Sequence, residues 1–161
     1  MSRPTPDQPL STSILDRVID PDDRGGGQRT PRLDDLKRAT RRDLEMLLNS
    51  RCRCVRPPKD LTQLDQSVVN YGLPDFTGPE LSSEAQRQKF VKRIEATIRR
   101  FEPRFVDVKV DKVENADEHD RTLRLRIEAL MHAEPAPEPL VFSSVMDPLS
   151  STFSVAGGGH G

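Results

Sequence analysis

Apolar positions recur every three or four residues from Leu33 onward, and beyond residue 105 the repeat shortens to every second residue. Leu36, Leu44, Leu47 and Leu48 fall on one stripe while Lys37, Arg38, Arg41, Arg42 and Glu45 occupy the other faces, which predicts an amphipathic helix beginning at Leu33. Pro57-Pro58 stops any continuation of that helix. Leu61, Leu64, Val68 and Tyr71 then predict a second, shorter helix stopped at Gly72. After the turn-rich stretch from Leu73 to Pro79, Ser83 and Gln86 have the spacing of a capping box and predict the start of a third helix, which buries Phe90, Val91, Ile94, Ile98 and Phe101. Val106, Val108 and Val110 alternate with Asp107, Lys109 and Asp111, the pattern of a half-buried strand. Asn115 to Asp120 is a polar turn, and Leu123, Leu125, Ile127 and Ala129 predict a second strand, antiparallel to the first. The proline-rich run 134–139 should carry the chain over an edge without continuing a ladder, before a last hairpin with arms Leu140 to Met146 and Thr152 to Val155.

Where the two periodicities meet stands Glu102-Pro103-Arg104. Proline has no N–H and disfavours helical geometry at the residue before it, so the helix should stop near Phe101 and residues 102 to 104 should run extended. Glu102 and Arg104 then project to the same side, as a local ion pair on a solvated corner or as a site.

Helices first and strands later, without alternation, predict an α+β fold with helices packed on one face of a small antiparallel sheet. Residues 1–31 are rich in Pro, Asp, Ser and Gly and include Gly25-Gly26-Gly27, which predicts a mobile, mostly disordered tail. Within it Ile14, Leu15, Val18 and Ile19 form an apolar face at helical spacing near 13–20, closed by Pro21. An element so short is stable only when docked. The organisation expected is therefore a tail, a domain over 32–156 and a frayed end at 157–161.

The 161 residues carry a formal net charge of −1, which excludes a generally polyanion-seeking protein. No apolar run is long enough to span a bilayer, and MSRPTPDQPL lacks the layout of a secretory signal, so a cytoplasmic location without direct membrane insertion is expected. Cys52 and Cys54 lie too close for a comfortable disulfide and read as reduced thiols of unassigned role. His119, His132 and His160 have no ligand spacing, no phosphate-cradling glycine loop is present and no nucleophile comes with a placed base, so neither metal nor cofactor is expected. Basic residues cluster between Lys37 and Lys59. Without aromatics that cluster suits a solvated face or an acidic protein partner better than nucleic acid.

The ordered set Arg42-Asp43-Leu44-Glu45-Met46-Leu47-Leu48-Asn49-Ser50-Arg51, Tyr71-Gly72-Leu73-Pro74-Asp75-Phe76, Glu102-Pro103-Arg104, Leu125 to Leu130, and Pro139-Leu140-Val141-Phe142 with Phe153-Ser154-Val155 resembles the TssE family, type VI secretion baseplate subunits related to phage tail wedge proteins. The resemblance covers roughly residues 13 to 155, and Cys52-Arg53-Cys54 departs from it. It implies a structural component, not an enzyme, that sits with TssF and TssG at the cytoplasmic face of the inner membrane. It also implies priming of the TssB and TssC contractile sheath by strand exchange at an open sheet edge, with Glu102, Pro103 and Arg104 facing the sheath. The element at Ile14, Leu15, Val18 and Ile19 is then the wedge-docking segment. Because phage-tail relatives have been labelled lysozyme-like, a peptidoglycan hydrolase with Glu102 as its acid is the alternative.

Overall fold

The computed structural model describes residues 33–53, 60–61, 63–64, 67–75, 83–115, 120, 122–133 and 136–157. The expected N-terminal tail and short helix near 13–20, and the chain beyond Gly157, lie outside these residues. Helix α1 (Leu33–Asn49) is followed by a 3-10 turn (Val68–Asn70), helix α2 (Glu84–Phe101) and strands β1 (Phe105–Val113), β2 (Leu123–Met131), β3 (Glu138–Asp147) and β4 (Thr152–Ala156). The strands form one antiparallel meander in the order β1-β2-β3-β4.

The α+β reading holds, and burial shows how it is built. Alternate strand residues Val108, Val110, Leu123, Leu125, Ile127, Ala129, Met131, Leu140, Phe142, Met146, Phe153 and Val155 are buried, while their neighbours are exposed or half-buried. Onto that face α1 presses Leu36, Leu44, Leu47 and Leu48, and α2 presses Phe90, Val91, Ile94 and Ile98. Each such aliphatic side chain contributes about 1.5–3 kcal/mol on burial, so the helical stripes and the period-two strand faces together make one core. The start of α2 is as expected: the Gln86 N–H donates to Ser83 Oγ at 3.3 Å, and the Ser83 hydroxyl donates to Gln86 Oε1 at 3.1 Å.

Four expectations are corrected. The segment at Leu61 to Tyr71 is a succession of 3-10 turns among the described residues, with Leu64, Ser67, Asn70 and Tyr71 each donating three residues back. Ser67 Oγ and Asn70 Nδ2 both bond the Leu64 carbonyl, a local competition that breaks α-helical bonding, and Val68 is 86% exposed. In β1, a register shift between Phe105 and Asp107 turns Val106 outward and leaves Phe105 packed against the core. Residues 102–105 form a turn closed by the Phe105 N–H on the Glu102 carbonyl at 3.3 Å, not an extended run.

The fourth concerns Pro139, which lies inside β3, opposite Leu130. Its missing donor is harmless there. Odd-numbered residues of β3 turn their backbone groups toward β4, and β4 pairs no further than Ser143.

Gly72 is the stop the sequence announced. Its φ is +103°, and a Cβ there would sit 2.4 Å from the Ser50 carbonyl oxygen. That close approach lets the Leu73 N–H bond Ser50 O and the Cys52 N–H bond Leu73 O, both at 2.9 Å, which seats Leu73 in the core and brings Tyr71 to the corner after α2.

Candidate functional site at the helix-to-sheet corner

Pro103 cannot extend α2, so the last helical bond is the Glu102 N–H on the Ile98 carbonyl at 2.9 Å, and the chain turns onto β1. Glu102 is only 6% exposed, which excludes the solvated-corner reading. Arg104 folds back over it, donating from Nε to Glu102 Oε1 at 2.6 Å and from Nη2 to Oε2. The same Nη2 donates to Asp43 Oδ2 of α1 at 2.8 Å. The Arg104 carbonyl, in turn, accepts from the N–H of His132 at the end of β2 at 2.8 Å. One residue thus ties α1, α2, β1 and β2 together.

The electrostatics are set by that geometry. Burial works against the Arg104 charge, but the hydrogen bonds and attraction of Glu102, then those of Asp43, hold its pKa above the ordinary arginine value. Tyr71 packs edge-on against Phe101 with ring centroids 5.3 Å apart. Burial, then the Glu102 and Asp43 carboxylates, push its phenol pKa up, with Arg104 opposing. The surface offered to a neighbour consists of exposed Pro103 and the half-buried Arg104 and Asp43. Glu102 lies beneath them. Asp43 and Tyr71 were both within the segments that carried the family resemblance, but nothing in their spacing assigned them to this corner.

The basic cluster of α1 is largely consumed inside the molecule. Lys37 pairs with Glu138 at 3.1 Å, Arg38 with Asp35 at 2.6 Å and Arg42 with Asp43 at 3.1 Å. Arg41 donates to the Val155 carbonyl at 3.0 Å, and Arg51 donates to the carbonyls of Leu48 and Ser151. Of these, Arg41 and Arg51 reach β4 and the turn before it and Lys37 reaches β3, whereas Arg38 and Arg42 pair with neighbours on α1 itself.

The sheet edges are likewise less open than expected. Asn49 closes β4 at Phe153: its Nδ2 donates to the Phe153 carbonyl and its Oδ1 accepts from the Phe153 N–H, both at 2.8 Å. On β1, Arg99 and Glu95 of α2 bond the Val108 carbonyl and the Val110 N–H. Among the described residues no group of three His, Cys, Asp or Glu is placed to hold a metal, and no helix is long and apolar enough to cross a membrane. The wedge-docking residues Ile14, Leu15, Val18 and Ile19 lie outside the described residues.

No curated protein and no solved structure matches the chain. A family does: the sequence matches Baseplate wedge protein gp25 over residues 34–136, a span that runs from α1 to the approach to β3 and includes the whole Glu102-Pro103-Arg104 corner. With that span covering most of the helix-and-sheet unit, the chain belongs to the gp25 family of baseplate wedge proteins, the family that includes TssE.

Proposed function

We propose that this chain is a structural baseplate component of a type VI secretion system, joining a wedge with TssF and TssG and priming polymerisation of the TssB and TssC sheath by strand exchange. The observation that carries this reading is the junction at Arg104, because it couples an outward-facing patch rigidly to both helices and to the sheet. In this division of labour Glu102 is a positioning residue. Pro103, Arg104 and Asp43 meet the sheath. The domain over 32–156 does this work, at the cytoplasmic face of the inner membrane, while the segment near 13–20 docks on the wedge. A hydrolase role for Glu102 is disfavoured by its chemistry: both carboxylate oxygens are engaged by Arg104, which leaves neither oriented to deliver a proton.

The test separates holding from contacting. Removing Arg104 strands a buried carboxylate, so Arg104→Ala should cost about 3–5 kcal/mol in denaturant unfolding. Arg104→Lys keeps the charge but loses the fork, and should fold yet nucleate few sheaths, counted by fluorescence in cells. Pro103→Ala should also stay folded and reduce sheath number. Wild-type sheath counts in both folded variants would refute the assignment.

A further inference from the structure

Both free edges of the sheet are closed by side chains from the helix above them, but the two closures differ in kind. The register carries through the sheet without interruption from β4 to β2, and it decides which backbone groups face outward. Phe153 gives both its N–H and its C=O to Asn49, so odd residues of β4 face away from the sheet and even ones face β3. Following the partners Ser154–Val145, Leu125–Ser144 and Arg126–Asp111 places Asp107, Lys109 and Asp111 toward β2, and Val108 and Val110 toward the free edge. On that edge Arg99 Nη2 donates to the Val108 carbonyl at 2.7 Å, and Glu95 Oε2 accepts from the Val110 N–H at 3.2 Å. The two side chains are bonded to each other at 3.0 Å. One donor to residue 108 and one acceptor from residue 110 is what a neighbouring strand would supply there. The pair stands in for a strand that is not there.

We propose that β1 is the strand-accepting edge and that Glu95 and Arg99 keep it closed as a removable surrogate for the incoming strand, an inference that rests on the strand-exchange reading of the function. The β4 cap is a neutral amide reinforced by Arg41 and Arg51, and β4 has only five residues to offer. The β1 cap is held by ion pairs of Arg99, itself half exposed, to Glu95 and Asp107, and β1 has nine residues. Ion pairs of that exposure are individually weak and screened by salt, so they add little to hold the β1 cap in place. The occupant is an extended segment of a different chain lying along β1, one N–H replacing Arg99 on Val108 and one C=O replacing Glu95 on Val110. A second copy meets the same two groups only with β1 antiparallel to itself about residue 109, which sets the two Lys109 side chains directly opposite each other and disfavours it. Closing the edge in the free chain prevents indiscriminate pairing, and opening it for the sheath costs only two side-chain bonds.

The experiment uses the full chain with co-expressed TssB and TssC. A photo-cross-linking residue replaces exposed Lys109 on β1 or exposed Ser154 on β4, and cross-links to the sheath are expected from position 109 and not from 154. The double variant Glu95→Ala with Arg99→Ala removes the competitor, so sheath proteins should bind on the order of tenfold more tightly, while Asn49→Ala should give no gain. Hydrogen exchange at the Val110 amide should be slow in the free wild type, fast in the free double variant and slow again in its sheath complex, with β2 amides reporting that the fold is retained. If the double variant fails to fold, Arg99→Met, which keeps the stem and drops the donor, should still tighten binding severalfold. Cross-links confined to position 154, or unchanged affinity in a variant whose Val110 amide is freed, would overturn the edge assignment. Absence of any complex, wild type included, would overturn the strand-exchange reading and this inference with it.

Discussion

At the scale of single residues, two backbone positions make opposite demands. Gly72 occupies a conformation that side chains rarely adopt and lies against the Ser50 carbonyl with no room for a Cβ. Gly72→Ala should therefore cost about 2 kcal/mol or more, read as a drop in the urea midpoint. Ser151 has a φ of 54° in the turn before β4 although it is not glycine. Ser151→Gly removes that strain and should raise stability by up to about 1 kcal/mol, measured the same way; a loss instead would show that the Arg51 contact to its carbonyl depends on the side chain. The first demand was legible, since a glycine after an apolar periodic run reads as a stop. The second was not, because serine carries no mark of a left-handed turn. The corner divides similarly: proline announced the break at 102 and the charge pair at its sides, but burial of Glu102 depends on Asp43, fifty-nine positions earlier, arriving on the same guanidinium.

Among the elements, those whose periodicity ran uninterrupted were read from the chain almost to their ends, and errors gathered where a local bond competed with the pattern. Val106 fits the alternation but not the burial, because a bulge intervenes, and bulges leave no trace in a hydropathy pattern. The 3-10 turns near Val68 satisfied a helical spacing that their serine and asparagine side chains then disrupted. The β3–β4 connection makes a prediction at this scale. Asp147 accepts from the Leu149 N–H and from the Ser150 hydroxyl, both at 2.9 Å, and these bonds, the backbone one first, hold its pKa below the ordinary carboxylate value. A depressed folded pKa means that the contribution is complete above the unfolded value and fades as pH falls through the folded one. The protection of the Leu149 amide, its exchange relative to an unstructured peptide at the same pH, should accordingly fall below the usual aspartate range, and Asp147→Asn should flatten that acid response. An identical acid profile in the variant would remove Asp147 from the account.

For the whole molecule, the α+β plan and the single core came from the order of elements, whereas the closure of both edges could not have been foreseen. It depends on which helix lies over which strand, and the linear pattern carries no such information. Arg41 belongs to that closure, so this basic residue of α1 serves the chain itself. Deletion of residues 1–20 should weaken capture of TssF and TssG by the tagged chain in a pull-down while leaving thermal stability of the 32–156 domain unchanged, and full retention would contradict the docking proposal. The meander has one further consequence. Because every strand pairs with its successor in the chain, each hairpin closes only a short loop, whereas seating α1 on β4 joins segments more than 100 residues apart. The hairpins can therefore set early, but the subunit reaches its finished shape only when β4, the last strand to be made, meets α1.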